Sequence, residues 1–212
     1  METSSAIANS RKASHAMTHS TVASAREYAT AMIDQLSQLD CEAIERYVDL
    51  LYQAWDTRRR VFVFGNGGSS FTASHHVCDY VKTAAVAGRP RLLAFSLTDN
   101  MGLTTAVGND VGYDETLRYP LESYAQPGDL AVAISSSGKS PNVVRACAWA
   151  REHSLTVVAL TGFDGGDVAA LADVHIHVPS DNYGVIEDVH MCVGHISAQM
   201  LHGRVHSRGT RA

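Results

Sequence analysis

The chain has 212 residues, 45% of them apolar and 18% charged, which excludes wholesale disorder and, at about 150 residues per domain, sets a single domain. Its 17 basic and 22 acidic residues leave a net charge of −5, so a general basic footprint for nucleic acid is excluded. Cys41, Cys78, Cys147 and Cys192 are scattered with no CxxC pair, which excludes a disulfide scaffold, and apolar runs of about five residues are too short for a membrane helix.

Residues 1–19 are rich in Ser, Ala, Thr and His, without an apolar period or a signal-like apolar stretch. They are expected to form a disordered N-terminal tail on a cytoplasmic protein. Spacings of three and four residues predict a helix over 21–39, through Val22, Ala25, Ala29, Met32, Ile33 and Leu36. Asp40 reads as the N-cap of a second helix carrying Ile44, Tyr47, Val48, Leu51 and Trp55. The two can form a helical hairpin whose apolar faces need a partner, such as another subunit. From residue 60 short apolar runs appear: VFVFG (61–65), RLLAFS (91–96), DLAVAIS (129–135), LTVVAL (155–160) and DVHIHV (173–178). Helical stretches at 69–83, 103–125 (interrupted at 108–112), 142–153, 167–172 and 184–205 separate and follow them. Five strands alternating with helices predict an α/β three-layer αβα sandwich around a five-stranded parallel sheet.

One device recurs: a buried strand, a Gly/Ser loop, then a helix start. It stands at GNGGSS (65–70), at SSSGKS (135–140) and, more weakly, at TGFDGG (161–166). Such loops lie at the carboxyl ends of strands, where α/β sheets bind ligands, and free N–H groups at a helix start favour an anion. The hydroxyls of Ser135, Ser136, Ser137 and Ser140 suffice to cradle a phosphate. SSSGKS is not a Walker A loop, because Ala133 stands where that motif needs glycine. GNGGSS lacks the acid that a dinucleotide site places at the end of the second strand.

His75 and Asp79 are four residues apart on one helix face. Glu187, His190 or Met191, and His195 are candidates for one stripe on the last helix, with Glu187 and His195 about 80° apart in direction. Spacing alone leaves zinc ligation, proton transfer and a structural His–carboxylate pair all open. His175 and His177 alternate on a strand and read as structural; His76, His202 and His206 read as surface residues.

GNGGSS, VGNDVGYD (107–114), ISSSGKSPNVVRA (134–146), VVALTGFDGGDVAALAD (157–173) and IEDVHMCVGHI (186–196) together resemble sugar isomerase (SIS) domains, most closely the phosphoheptose isomerase group. The resemblance covers residues 20–205 and makes 20–212 a single SIS domain. It implies an aldose–ketose isomerase that converts sedoheptulose 7-phosphate to D-glycero-D-manno-heptose 7-phosphate through a cis-enediol. It also implies a homotetramer with sites at subunit interfaces, no nucleotide cofactor, no nucleic-acid or membrane partner, and zinc in some members.

Position by position, Ser135, Ser136, Ser137 and Ser140 match the phosphate loop. Asn66, Gly67 and Ser69 match the substrate loop; around Thr98, Asp99 and Asn100 the register against the family is open by one residue, which leaves Asp99 and Asn100 as candidates for its substrate-binding position. His75 matches a site histidine and His195 the proposed acid. Asp79 stands where the family has its glutamate base, Glu187 where it has glutamine, and Gly184 where it has another aspartate. The base is then Asp79 or Glu187, and His75, Asp79, Glu187 and His195 are the metal set. The alternative is a non-catalytic SIS module, either a sugar-phosphate sensor or a tetrameric adaptor for a replication initiator.

Overall fold

A computed structural model describes residues 20–209; the expected tail at 1–19 lies outside the described residues. Five strands, β1 (Arg60–Gly65), β2 (Leu93–Ser96), β3 (Leu130–Ser135), β4 (Thr156–Thr161) and β5 (Val174–His177), form one sheet in the order β2-β1-β3-β4-β5. All neighbours are parallel, with Val61 opposite Leu130 and Ala94, and Val158 opposite Val132 and Val174. The chain order reverses between β1 and β3, so their two C-terminal loops diverge there and leave a crevice.

Strand alternation sorts the core. Val61, Val63, Leu130, Val132, Ile134, Val158 and Leu160 face one side, against α2 (Cys41–Asp56), α3 (Gly68–Cys78) and α8 (Tyr183–Gly209). Phe62, Phe64, Ala131, Ala133, Val157 and Ala159 face the other side, where α6 (Pro141–Glu152), the short α5 (Arg118–Tyr124) and α7 (Gly166–Leu171) pack. α4 (Met101–Asp110) completes the β2–β3 crossover. The small Ala side chains of β3 and β4 let α6 approach closely.

The N-terminal helices take different partners. Asp40 caps α2 by accepting the Ala43 N–H at 2.9 Å, and Ile44, Tyr47, Val48, Leu51 and Trp55 are buried as their spacing requires. α1 (Ala25–Ser37) has no buried residue and leans on the start of α8, where Tyr28, Ala31 and Met32 meet Val185, Ile186 and Val189. Ile33 remains 65% exposed on its outer side.

The helix expected at 69–83 is α-helical only to Cys78; Asp79–Thr83 is a π-helical turn, with the Ala84 N–H donating to the Asp79 carbonyl. Such turns are frequent at functional sites. The surface assignment of His76 is corrected: it is fully buried against α8, because Gly194 has no side chain and a methyl there would lie 2.1 Å from the His76 ring. His202 and His206 are exposed. His175 and His177 bond Thr161 Oγ1 and the Phe163 carbonyl.

Candidate active site

The two loops at the sheet's reversal stand side by side. The β1 loop turns at Gly67, whose φ of 54° and ψ of −122° suit glycine alone, and the turn opens α3. α3 starts without a side-chain cap, and so does α6 at Ser140. The N-termini of both helices, each end equivalent to about half a positive charge, therefore face the crevice. A cavity of about 180 Å³ lies between them, lined by Asn66, Ser69, Ile134, Ser135, Ser136, Ser137, Ser140, Tyr183 and Glu187.

The serines divide their work. Ser135 Oγ accepts the Gly138 N–H at 3.1 Å and Ser137 Oγ accepts the Lys139 N–H at 3.2 Å, which leaves each hydroxyl proton for a ligand. Ser136 is buried and its Oγ has no hydrogen-bond partner among the described residues, a costly state that an anion at the site would relieve. The third Gly-rich loop is a buttress. Gly162 N–H donates to the Ser136 carbonyl at 2.8 Å, Val168 N–H to the Gly138 carbonyl at 3.0 Å, and a Cβ on Gly138 would sit 2.0 Å from the Gly165 carbonyl oxygen.

A second centre lies along α3 and α8. His75 Nε2 and His195 Nε2 are 3.0 Å apart, and Asp79 Oδ2 is 3.4 Å from the first and 3.6 Å from the second. Both imidazoles are about half exposed, whereas the Asp79 side chain is 13% exposed. Thr83, brought round by the π turn, donates to Asp79 Oδ1 at 2.8 Å, so Oδ2 is the oxygen that meets the rings. Two imidazole nitrogens this close share a proton or a cation. Tetrahedral zinc with bonds of about 2.0–2.1 Å holds its ligand atoms about 3.3 Å apart, so the three separations fit one zinc with its fourth position open, the catalytic pattern.

The metal set expected from the sequence is corrected by one member. Among the described residues the atoms that gather within 4.8 Å are those of His75, Asp79 and His195. Glu187 lies about 12 Å of helix rise before His195 and points elsewhere. Its carboxylate rests on the start of α3, where a methyl on Gly68 would lie 2.6 Å from either oxygen, and it lines the serine cavity. Burial, then the neighbouring Asp188, raise its pKa. His190 leaves the stripe as well: it is fully buried and its Nε2 faces the Thr161 carbonyl at 3.2 Å.

Asp99 accepts the Ser74 hydroxyl at 2.5 Å, and Asn100 caps α4 by accepting the Leu103 N–H at 3.0 Å, so neither lines the serine cavity. Three functional candidates escaped the sequence reading. Thr83 holds Asp79, Tyr183 lines the cavity, and Asn142 pairs with Asn66. The last was marked only by its place at the end of SSSGKSPN.

A family model for the SIS domain matches residues 26–162. The phosphoheptose isomerase of Bordetella avium is 39% identical over 79% of this chain and 86% of that protein; that of Nitratidesulfovibrio vulgaris is 39% identical over 67% and 68%. Two solved structures share the fold. A phosphoheptose isomerase from Francisella tularensis has a TM-score of 0.78 at 27% identity, covering 84% of this chain and 94% of that one. The phosphoheptose isomerase from Neisseria gonorrhoeae has 0.76 at 30% identity, covering 83% and 93%.

Proposed function

The chain belongs to the SIS domain family, among its phosphoheptose isomerases, and from that premise we infer how its own residues convert sedoheptulose 7-phosphate to heptose 7-phosphate. The observation that carries the reading is the pairing of two centres. A serine-lined, helix-capped anion cavity sits at one end of the inner stripe of α8, and an imidazole–carboxylate cluster sits further along it. A non-catalytic sensor or adaptor has use for the first and none for the second.

In this reading the serines and the N-termini of α3 and α6 hold the phosphoryl group. The sugar chain then extends toward Asp79 and His195. Asp79 Oδ2 takes the proton from C1 as O2 gains one from solvent, and a cis-enediol forms. Protonated His195 then gives its proton to C2 while O1 loses its proton to solvent and C1 becomes the aldehyde, and Asp79 passes its proton back to His195, 3.6 Å away. A carboxylate shared between two imidazoles is oriented and has a partner to relay the proton, a role worth about 10²–10⁴ in rate. His75, Asp79 and His195 would hold zinc, which would polarise the carbonyl oxygen; Asp79 Oδ2 and His195 Nε2 would then be ligands, so these proton transfers belong to the metal-free site. Glu187 belongs to the phosphate end and not to the base.

We further assign a homotetramer with sites at subunit interfaces. The outer side of α1 exposes Ile33, and Phe71 on α3 is 78% exposed beside the cavity loop, both suited to a second copy. A reducing, cytoplasmic setting accords with the four free cysteines, of which Cys41 and Cys78 are exposed. No helix among the described residues is long and apolar enough to cross a membrane.

The test is direct. Purified protein incubated with sedoheptulose 7-phosphate, with and without zinc, is expected to yield the aldose, followed by NMR of the anomeric proton. No aldose under either condition refutes the substrate assignment. Light scattering after gel filtration is expected to give four times 22.8 kDa.

A further inference from the structure

Asn66 and Asn142 face each other across the gap between the β1 and β3 loops. Each donates from Nδ2 to the other's Oδ1 at 2.8 Å. Asn142 is 1% exposed. Its Oδ1 also accepts the Val143 N–H at 3.0 Å, and its Nδ2 also donates to Thr116 Oγ1 at 3.1 Å. Asn66 Oδ1 also accepts the Tyr113 hydroxyl at 3.1 Å.

A carboxamide offers two lone pairs and two N–H groups. All four valences of Asn142 and three of those of Asn66 are therefore filled. The one left over is a second N–H on Asn66, and Asn66 lines the serine cavity. The orientation of both amides follows from a group that cannot turn. The Val143 backbone N–H requires an oxygen, which fixes Asn142, and Asn142 in turn fixes Asn66. Turning either amide over would oppose N–H to N–H and oxygen to oxygen across a pair of which Asn142 is buried.

We propose that Asn142 is a positioning residue. It holds the Asn66 oxygen away from the cavity and leaves the amide's remaining N–H for an oxygen of the ligand, so that a donor and not an acceptor meets the anion. It also ties together the two loops that form the cavity. The proposal rests on reading that cavity as the sugar-phosphate site.

The test is a double-mutant cycle of Asn66→Ala and Asn142→Ala, read as KM and kcat for sedoheptulose 7-phosphate and as affinity by thermal-shift titration. Asn142→Ala is expected to raise KM about tenfold with kcat within about threefold, the loss of one hydrogen bond to a charged ligand. In the Asn66→Ala background the same change is expected to add less than twofold, because it acts through Asn66. An unchanged KM in the single variant, or effects that multiply in the double variant, overturns the proposal.

If Asn142→Ala does not fold, Asn142→Asp serves in the same cycle. It keeps the shape and the acceptor for Val143 but cannot donate to Asn66 Oδ1. Wild type that neither turns over nor binds sedoheptulose 7-phosphate refutes the isomerase reading alone. The cycle is then read with inorganic phosphate, where dependence on Asn142 through Asn66 sustains the proposal and independence ends it.

Discussion

Replacing Glu187 with glutamine is expected to tighten sugar-phosphate binding. The carboxylate shares a cavity of about 180 Å³ with five serines, and burial followed by the Asp188 charge disfavours its ionised form. A sphere of that volume has a radius of about 3.5 Å, which puts a phosphate at its centre about 5 Å from the carboxylate. Two unit charges at that distance repel by about 3 kcal/mol at an effective dielectric of 20 and by about 0.8 kcal/mol in bulk water. Glu187 is half-buried, so about 1–2 kcal/mol is apt, or roughly 5–30-fold in KM. The sign with pH follows: a raised pKa keeps Glu187 neutral further up the scale, and repulsion grows as pH climbs through it.

Glu187→Gln cannot ionise, so its advantage over wild type should be smaller at pH 5 than at pH 8. Initial rates across a substrate series at both pH values measure this. A hundredfold fall in kcat with KM unchanged would show that Glu187 is the base after all, and the division of labour along α8 would be wrong.

Asp79→Asn should lower kcat by about 10²–10⁴ with KM nearly unchanged, and should also weaken zinc retention in chelator competition; activity within tenfold of wild type refutes the role of Asp79. Gly138→Ala places a Cβ 2.0 Å from a backbone oxygen at a φ of +62°, so the serine loop must move; phosphate protection in thermal shift should vanish, and its survival would show that the loop is not the cradle. Thr83→Val should lower kcat about tenfold or more while Thr83→Ser restores it; equal rates for the two would leave Asp79 independent of that hydroxyl. Buried His190 has its pKa pushed down to about 4, so the unfolded chain binds more protons between pH 6.5 and 4 and stability must fall as pH drops through that window. Buried His76 is pushed down to about 4 as well, so urea unfolding should show about 2 kcal/mol less stability per ring, about 4 kcal/mol in all, at pH 5 than at pH 7.5, and a flat profile would contradict the buried neutral rings.

What could be read from the residues was local in origin. Short apolar runs marked all five strands, the glycines marked the loops, and His75 and Asp79 met because four residues make about one helical turn. What could not be read depended on contacts distant in the chain. His76 is buried through a glycine 118 positions later, and the π turn that brings Thr83 under Asp79 has no local signature. The spacing of Glu187 and His195 gave their directions but not their neighbours. The start of α3 claims the first, while His75 and Asp79, further along α3 and into the π turn, claim the second. That separation has a chemical consequence. α3 and α8 run past the same crevice, so one pair of helices presents an anion end and a proton-transfer end about 12 Å of helix rise apart. An extended sugar phosphate has that scale. A substrate with its phosphate seated among the serines but a shorter carbon chain would leave C1 and C2 short of Asp79, which makes chain length itself the quantity the two ends select.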